Sequence, residues 1–262
     1  MDTAQILHDL GSIRFNVSFL YDLVEHLNGC AHIKDAQTGK FIYSNYSNAA
    51  ALKLDSVDHL IGLSAADILS QDCRFYGNLD LNANILSWID CELANTEKID
   101  HQVKSTKRAL QIKHIYFTVG GALQFERSIK FPLQDQKNQK TIAILTYSED
   151  MTSRLGLHKL LQFYQQFYHG KEAIKKFLQH LKIDIYFHPY DLPTLKEIRI
   201  LCTMRADNSI KYVARAMDTS PATATNHISQ LRNKCLQPHY LHEIILKLRS
   251  LPTEAGRYAP FI

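Results

Sequence analysis

Four side chains towards the C-terminal end of this chain share a chemistry. Thr225, Asn226, Ser229 and Arg232 all form hydrogen bonds, and none is a carboxylate. They are interleaved with Ala224, Ile228, Leu231 and Cys235, which recur at helical spacing, so the apolar residues form one stripe and the polar ones the face away from it. An acid-free polar face on a short helix suits the major groove of a DNA duplex, where base-edge donors and acceptors lie between two rows of phosphates. A second helix must support it. Ile210, Val213, Ala214 and Met217 make another apolar stripe, and Asp218-Thr219-Ser220-Pro221 separates the two. Ser220 is placed as an N-cap and Pro221 as the first helical residue, which predicts a tight turn and a helical restart.

Ser220, Thr223, His227 and Ile228, followed by Leu231 and Lys234, resemble the helix-turn-helix of LuxR-type bacterial transcription regulators. The resemblance runs from about Leu192 to Leu251. Leu192-Pro193-Thr194-Leu195-Lys196-Glu197 is similar to the family's Leu-Thr-x-Arg-Glu entry, and Ser209 to Ala214 is similar to its Ser-x-Lys-Glu-Ile-Ala. It implies an all-α, four-helix DNA-binding domain over 191–251. Carried over by position, Thr225, Asn226 and Ser229 are expected at base edges, and Lys211, Thr223, Arg232 and Lys234 at phosphates. Asp218 occupies the turn where the family prefers Gly, and Thr219 and Ala224 replace larger aliphatic residues. The other reading of this surface is a helical bundle that docks on protein.

At 262 residues the chain is long enough for two domains with separate cores. No run of about 18 apolar residues suggests a membrane span, and the N-terminus lacks a basic-then-apolar leader. A cytoplasmic protein with no membrane partner is therefore expected. Charge divides unevenly: residues 1–190 hold 20 Lys+Arg and 20 Asp+Glu, whereas residues 191–262 hold 10 and 6. The whole excess lies beside the helix-turn-helix, as a polyanion partner at that end would require. Cys30, Cys73, Cys91, Cys202 and Cys235 form no CxxC and are expected as reduced thiols. The 13 histidines form no HxxxH or HExxH, so no metal site is expected. Without a Walker loop, a GxGxxG after a strand, a nucleophile elbow, or a kinase or cyclase signature, the chain is not expected to be an enzyme.

Ile6, Leu10, Ile13, Val17, Leu20, Val24 and Leu27 follow one another at alternating steps of four and three residues. This heptad seam marks an N-terminal amphipathic dimerisation helix over 1–28, pairing with its own copy or lying on the domain that follows. Cys30 to Asp35 and Phe41 to Asn45 read as strands around a Gly-containing turn. Helices are expected at about 45–54, 56–70 and 82–95. Apolar and β-branched runs return near 100–106, 110–119, 124–133 and 141–148. The result is an α+β unit with helices on one face of an antiparallel sheet. That order, with Ile33-Lys34-Asp35, Tyr43-Ser44-Asn45, Leu60-Ile61-Gly62 and Ser148-Glu149-Asp150-Met151-Thr152, resembles a PAS sensory domain over 29–152. The resemblance implies signal sensing or dimer assembly, with a small-molecule ligand as a possible partner between sheet and helices.

Asp72-Cys73-Arg74-Phe75 is similar to the Asn-Cys-Arg-Phe start of the flavin-adduct motif of blue-light sensors. Asp72 replaces the amide, Tyr76-Gly77 replaces Leu-Gln, and Ser148 stands where a Gln would meet the flavin, so flavin is not expected. Haem needs an axial histidine facing the pocket. The helix from Asn82 to Asn95 has none, and His101 and His114 fall in expected strands, so haem is not expected and the cofactor is left unassigned. A helical connector over 153–190 carries Leu157, Leu160, Leu161, Tyr164, Phe167, Ile174, Phe177, Leu178 and Leu181, broken at Gly170. Its stripe reads as core, or as a surface that pairs two subunits. Leu241, Ile244, Ile245 and Leu248 mark the fourth helix, and 252–262 is a tail. The expected protein is a homodimeric, sequence-specific DNA-binding transcription regulator whose PAS domain senses a signal or assembles the dimer. The alternative is a PAS-based adaptor whose C-terminal bundle binds another regulator.

Overall fold

The computed structural model describes residues 17–69, 82–118, 121–135 and 137–251. Ile6, Leu10 and Ile13 of the heptad seam, the side chain of Val17, the Cys73 motif and the tail lie outside them.

Helix α1 (Val17–Glu25) leads into the hairpin of β1 (Cys30–Asp35) and β2 (Phe41–Ser44). The hairpin turns because the Asp35 carboxylate accepts from the N–H groups of Gln37 and Thr38, at 3.0 and 2.6 Å, while Gly39 takes φ +70. Asn45 then caps α2 (Tyr46–Ala51). Its buried carboxamide accepts from Asn48 N–H and Ala31 N–H, both at 3.0 Å, and donates to the Gly29 carbonyl at 2.7 Å. One side chain thus ties a helix start to the first strand.

The single helix expected over 56–70 is broken into a 3₁₀ turn (Val57–His59) and α3 (Ala65–Leu69). Gly62 between them has φ +85, and the backbone pairs sideways with β2: Gly62 N–H reaches the Phe41 carbonyl and Phe41 N–H the Leu63 carbonyl, each at 2.8 Å. Helix α4 (Ala83–Thr106) is longer than expected and absorbs 100–106, which the sequence suggested as a strand. Asp100 and Val103 share a face one turn apart: Val103 is fully buried, and Asp100 meets Lys34 and Lys130 from the sheet. His101 is therefore helical and exposed.

β3 (Leu110–Phe117), β4 (Leu123–Gln134) and β5 (Thr141–Asp150) complete a five-stranded sheet of order β2-β1-β5-β4-β3. β1 is antiparallel to both neighbours, with Ile33 opposite Tyr43 and Leu145. The loops from β3 to β4 and from β4 to β5 are short enough to require antiparallel neighbours. The α+β arrangement read from the sequence is present.

Strand alternation sorts the two faces. Ala31, Ile33, Ala143 and Leu145 form one buried cluster with Val24 of α1, and Leu20 and Leu27 pack against it. The described seam residues thus lie on this chain's own sheet, the second of the two placements open to that helix. The opposite face mixes the buried apolar side chains of Phe41 and Ile144 with polar ones. It carries Lys34 and Lys130 on Asp100, and the cross-strand pair His32 and Thr146. Both His32 ring nitrogens and the Thr146 hydroxyl lack a hydrogen-bond partner among the described residues. Burial, with Lys34 and Lys130 nearby, pushes the His32 pKa well down, so the ring is neutral.

The described chain divides into two compact units: residues 17–69, 92–112, 127–135 and 137–149, and residues 82–91, 113–118, 121–126 and 150–251. In the second, Trp88 meets Phe117 edge-on at 5.0 Å between ring centroids, and Phe117 meets Phe167 at 4.7 Å. Phe167 ends α5 (Leu157–Phe167), and a two-residue link with Gly170 at φ +52 starts α6 (Gly170–His180). Leu160, Leu161, Tyr164, Ile174, Phe177 and Leu178 are buried, so the connector's stripe is core. Tyr164 Oη accepts from Leu123 N–H at 3.1 Å and lies 2.9 Å from His180 Nδ1, and burial pushes its pKa up to about 12.

Candidate nucleic-acid interface

The C-terminal module is built from α7 (Leu195–Met204), α8 (Ile210–Ala216), α9 (Pro221–Asn233) and α10 (Tyr240–Ser250). Its entry is a capping box. Thr194 Oγ1 accepts from Glu197 N–H at 3.3 Å, while Glu197 Oε2 accepts from Thr194 N–H at 2.6 Å. Glu197 is only 3% exposed, and the same oxygen receives Lys234 Nζ at 2.9 Å from the far end of α9. Lys234 also reaches the Leu192 carbonyl at 3.4 Å and lies 3.7 Å from Asp191. Burial alone would raise the Glu197 pKa, but Thr194 and Lys234 outweigh it and hold the carboxyl below its ordinary value. Lys234, expected at a phosphate, is thus committed inside the fold and acts as a latch between α9 and the start of α7.

The turn between α8 and α9 closes by backbone geometry. Asp218 sits at φ +50, with Asp218 N–H on the Arg215 carbonyl at 3.3 Å and Thr219 N–H on that of Ala214 at 2.9 Å. These are the two bonds of a Schellman ending, in which the left-handed position favours Gly. Ser220 Oγ then accepts from Thr223 N–H at 3.1 Å, and Pro221 opens α9. Replacing Asp218 with Gly is expected to stabilise the module by about 1 kcal/mol, read as a higher urea midpoint at unchanged slope. An unchanged or lower midpoint would show that the Asp218 side chain contributes more than its backbone strain costs.

Ala224, Ile228 and Leu231 are buried against the module's core, so α9 turns the rest of its surface outwards. Thr225, Asn226, Ser229 and Arg232 are all exposed, as the periodicity predicts, and no Asp or Glu occurs from Thr219 to His242. Thr225 Oγ1 is turned back onto the Pro221 carbonyl at 2.9 Å. Thr225, Ser229 and Arg232 also line a groove of about 400 Å³ with Pro238, Leu241 and His242, so they border the α10 side of the face. Thr223 is half-buried, its hydroxyl 2.9 Å from that of Ser220.

Opposite the buried stripe lie Ala222, Asn226, Gln230 and Asn233, all exposed. Gln230 and Asn233 were missed from the sequence because the expected site stopped at residues carried over by position. The i, i+4, i+7 spacing of the three amides was available to find them. Exposed Lys211 and Arg215 on α8 and Arg232 on α9 supply positive charge, with Arg215 lying over the Tyr212 ring at 5.8 Å. Cys202 and Cys235 belong to the core. Burial pushes their thiols up to about 12 and about 11, which leaves them unreactive at neutral pH.

Among the described residues no group of three His, Cys, Asp or Glu side chains is placed to hold a metal, and no helix is long and apolar enough to cross a membrane.

No protein-family model matches the chain, and no curated protein matches it. Among solved structures it is similar to a Vibrio cholerae VqmA–ligand–DNA complex, at 16% identity over 91% of this chain and 90% of that one, with a TM-score of 0.43. It is similar to a phage VqmA–DPO complex at 15% identity over 90% and 89%, TM-score 0.39. The PAS domain of Bordetella pertussis BvgS aligns with 57% of this chain and 96% of its own, at 14% identity and TM-score 0.41.

Proposed function

We propose that this chain is a sequence-specific DNA-binding transcription regulator in which α8 and α9 act as a helix-turn-helix and α9 enters the major groove. The observation that carries this reading is the exposed, acid-free face of α9, flanked by Lys211, Arg215 and Arg232 and braced from behind by the Glu197–Lys234 latch. Polar side chains without negative charge suit base edges, and the flanking cations suit the phosphate rows on either side. A homodimer would set two such helices about one helical turn of DNA apart, so a near-palindromic target is expected. In the sheet unit, a small-molecule ligand would find hydrogen-bond partners in buried His32 and Thr146.

Salt separates DNA binding from the protein-docking alternative. With about six phosphate contacts per dimer, affinity for duplex DNA should fall roughly a thousandfold between 50 and 200 mM salt through counterion release. Measured by fluorescence anisotropy on the full-length protein, a flat salt response or absence of duplex binding would favour the adaptor.

A further inference from the structure

We propose that α9 reads an adenine-rich half-site, with Asn226 and Gln230 setting the base preference. The inference rests on the DNA-binding reading and adds what the DNA must contain. Asn226, Gln230 and Asn233 are exposed, and their i, i+4, i+7 spacing aligns them on one strip of α9 opposite the buried Ala224, Ile228 and Leu231. A carboxamide offers one acceptor and one donor side by side, the complement of adenine N6–H and N7. Guanine presents two acceptors and is matched instead by Arg or Lys.

The cations near this strip are placed elsewhere. α9 contains a single charged side chain, Arg232, which borders the groove with Pro238 and His242 on the α10 side. Lys234 is held by Glu197. The helix therefore offers amides where base edges would lie and no aligned guanine reader. Gln230 Oε1 lies 3.2 Å from His227 Nδ1, a contact that uses one lone pair of the oxygen and leaves the other to accept from adenine N6–H while the amide N–H donates to N7. One turn before Asn226, exposed Ala222 presents a methyl suited to the thymine 5-methyl group.

The test uses full-length protein and duplex fragments selected from a random pool, resynthesised with 7-deaza-adenine at one adenine at a time. This substitution deletes the N7 acceptor and keeps Watson–Crick pairing. Expected are half-sites dominated by A·T pairs, and a loss of about 5- to 150-fold for 7-deaza-adenine at the read positions. Asn226→Ala and Gln230→Ala should each relax preference at a different base pair without changing the salt slope. Half-sites dominated by G·C, or indifference to 7-deaza-adenine with binding intact, would overturn this inference and leave the DNA-binding reading standing. Absence of salt-sensitive duplex binding would overturn both.

Discussion

Replacing Asp100 with Asn is expected to destabilise the sheet unit by about 3–5 kcal/mol, because it leaves two buried ammonium groups without their shared carboxylate. Lys34 and Lys130 both reach Asp100, and their side chains are 5% and 6% exposed. Water cannot replace the lost charge without opening the space between α4 and the sheet. Burial already pushes the Lys34 pKa down, aided by Lys130, while Asp100 holds it up. In the variant it falls further. Below that lowered folded pKa the unit bears the full cost of a buried charge, and stability returns as pH rises through it and the lysine discharges. Urea unfolding at neutral and alkaline pH reads both effects. A shift below about 1 kcal/mol at neutral pH would contradict the account. Exchanging all three side chains for apolar ones of similar volume should cost far less, since no unpaired charge remains.

Glu197→Ala is expected to cost the helix-turn-helix module about 3 kcal/mol. The carboxylate closes the capping box of α7 and neutralises Lys234 from the end of α9, so its loss frees one helix start and leaves the half-buried ammonium only the Leu192 carbonyl and the more distant Asp191 carboxylate. The pH dependence has a definite sign. A carboxyl held below its ordinary value contributes stability that is fully present above the unfolded pKa and is lost as pH falls through the folded one. The wild-type module should therefore weaken on acidification through that window, and the Ala variant should show a shallower acid limb. Thermal melts from pH 7 to pH 3 compare the two. Parallel acid limbs would show that Glu197 is not what titrates.

Local signals carried much of this structure into view. The Ser220-Pro221 restart, the apolar stripe of α9 and the acid-free face needed only helical periodicity and capping chemistry, and each is present as read; on α8, Val213 and Ala214 are buried as read, whereas Ile210 at its first turn is 43% exposed. Asp218 at the left-handed turn position was legible because Asp tolerates that backbone better than most residues. Errors arose where a distant partner decided the outcome. Residues 100–106 join α4 because Asp100 answers two lysines on separate strands, a pairing that no window around Asp100 reveals. The 56–70 helix breaks because Gly62 pairs with Phe41, which lies 21 residues earlier. Lys234 looked like a surface cation, since its partner Glu197 stands 37 residues away.

The central claim is that the outward face of α9 reads DNA. Its most direct test is recovery of bound fragments from a random duplex pool by the full-length protein, beside the same protein carrying Asn226→Ala and Ser229→Ala. Both substitutions lie on an exposed surface and should leave thermal unfolding unchanged within about 0.5 kcal/mol. The account predicts a two-fold symmetric motif for the wild type that the folded double variant loses or alters. Recovery of the same motif by both proteins would contradict it.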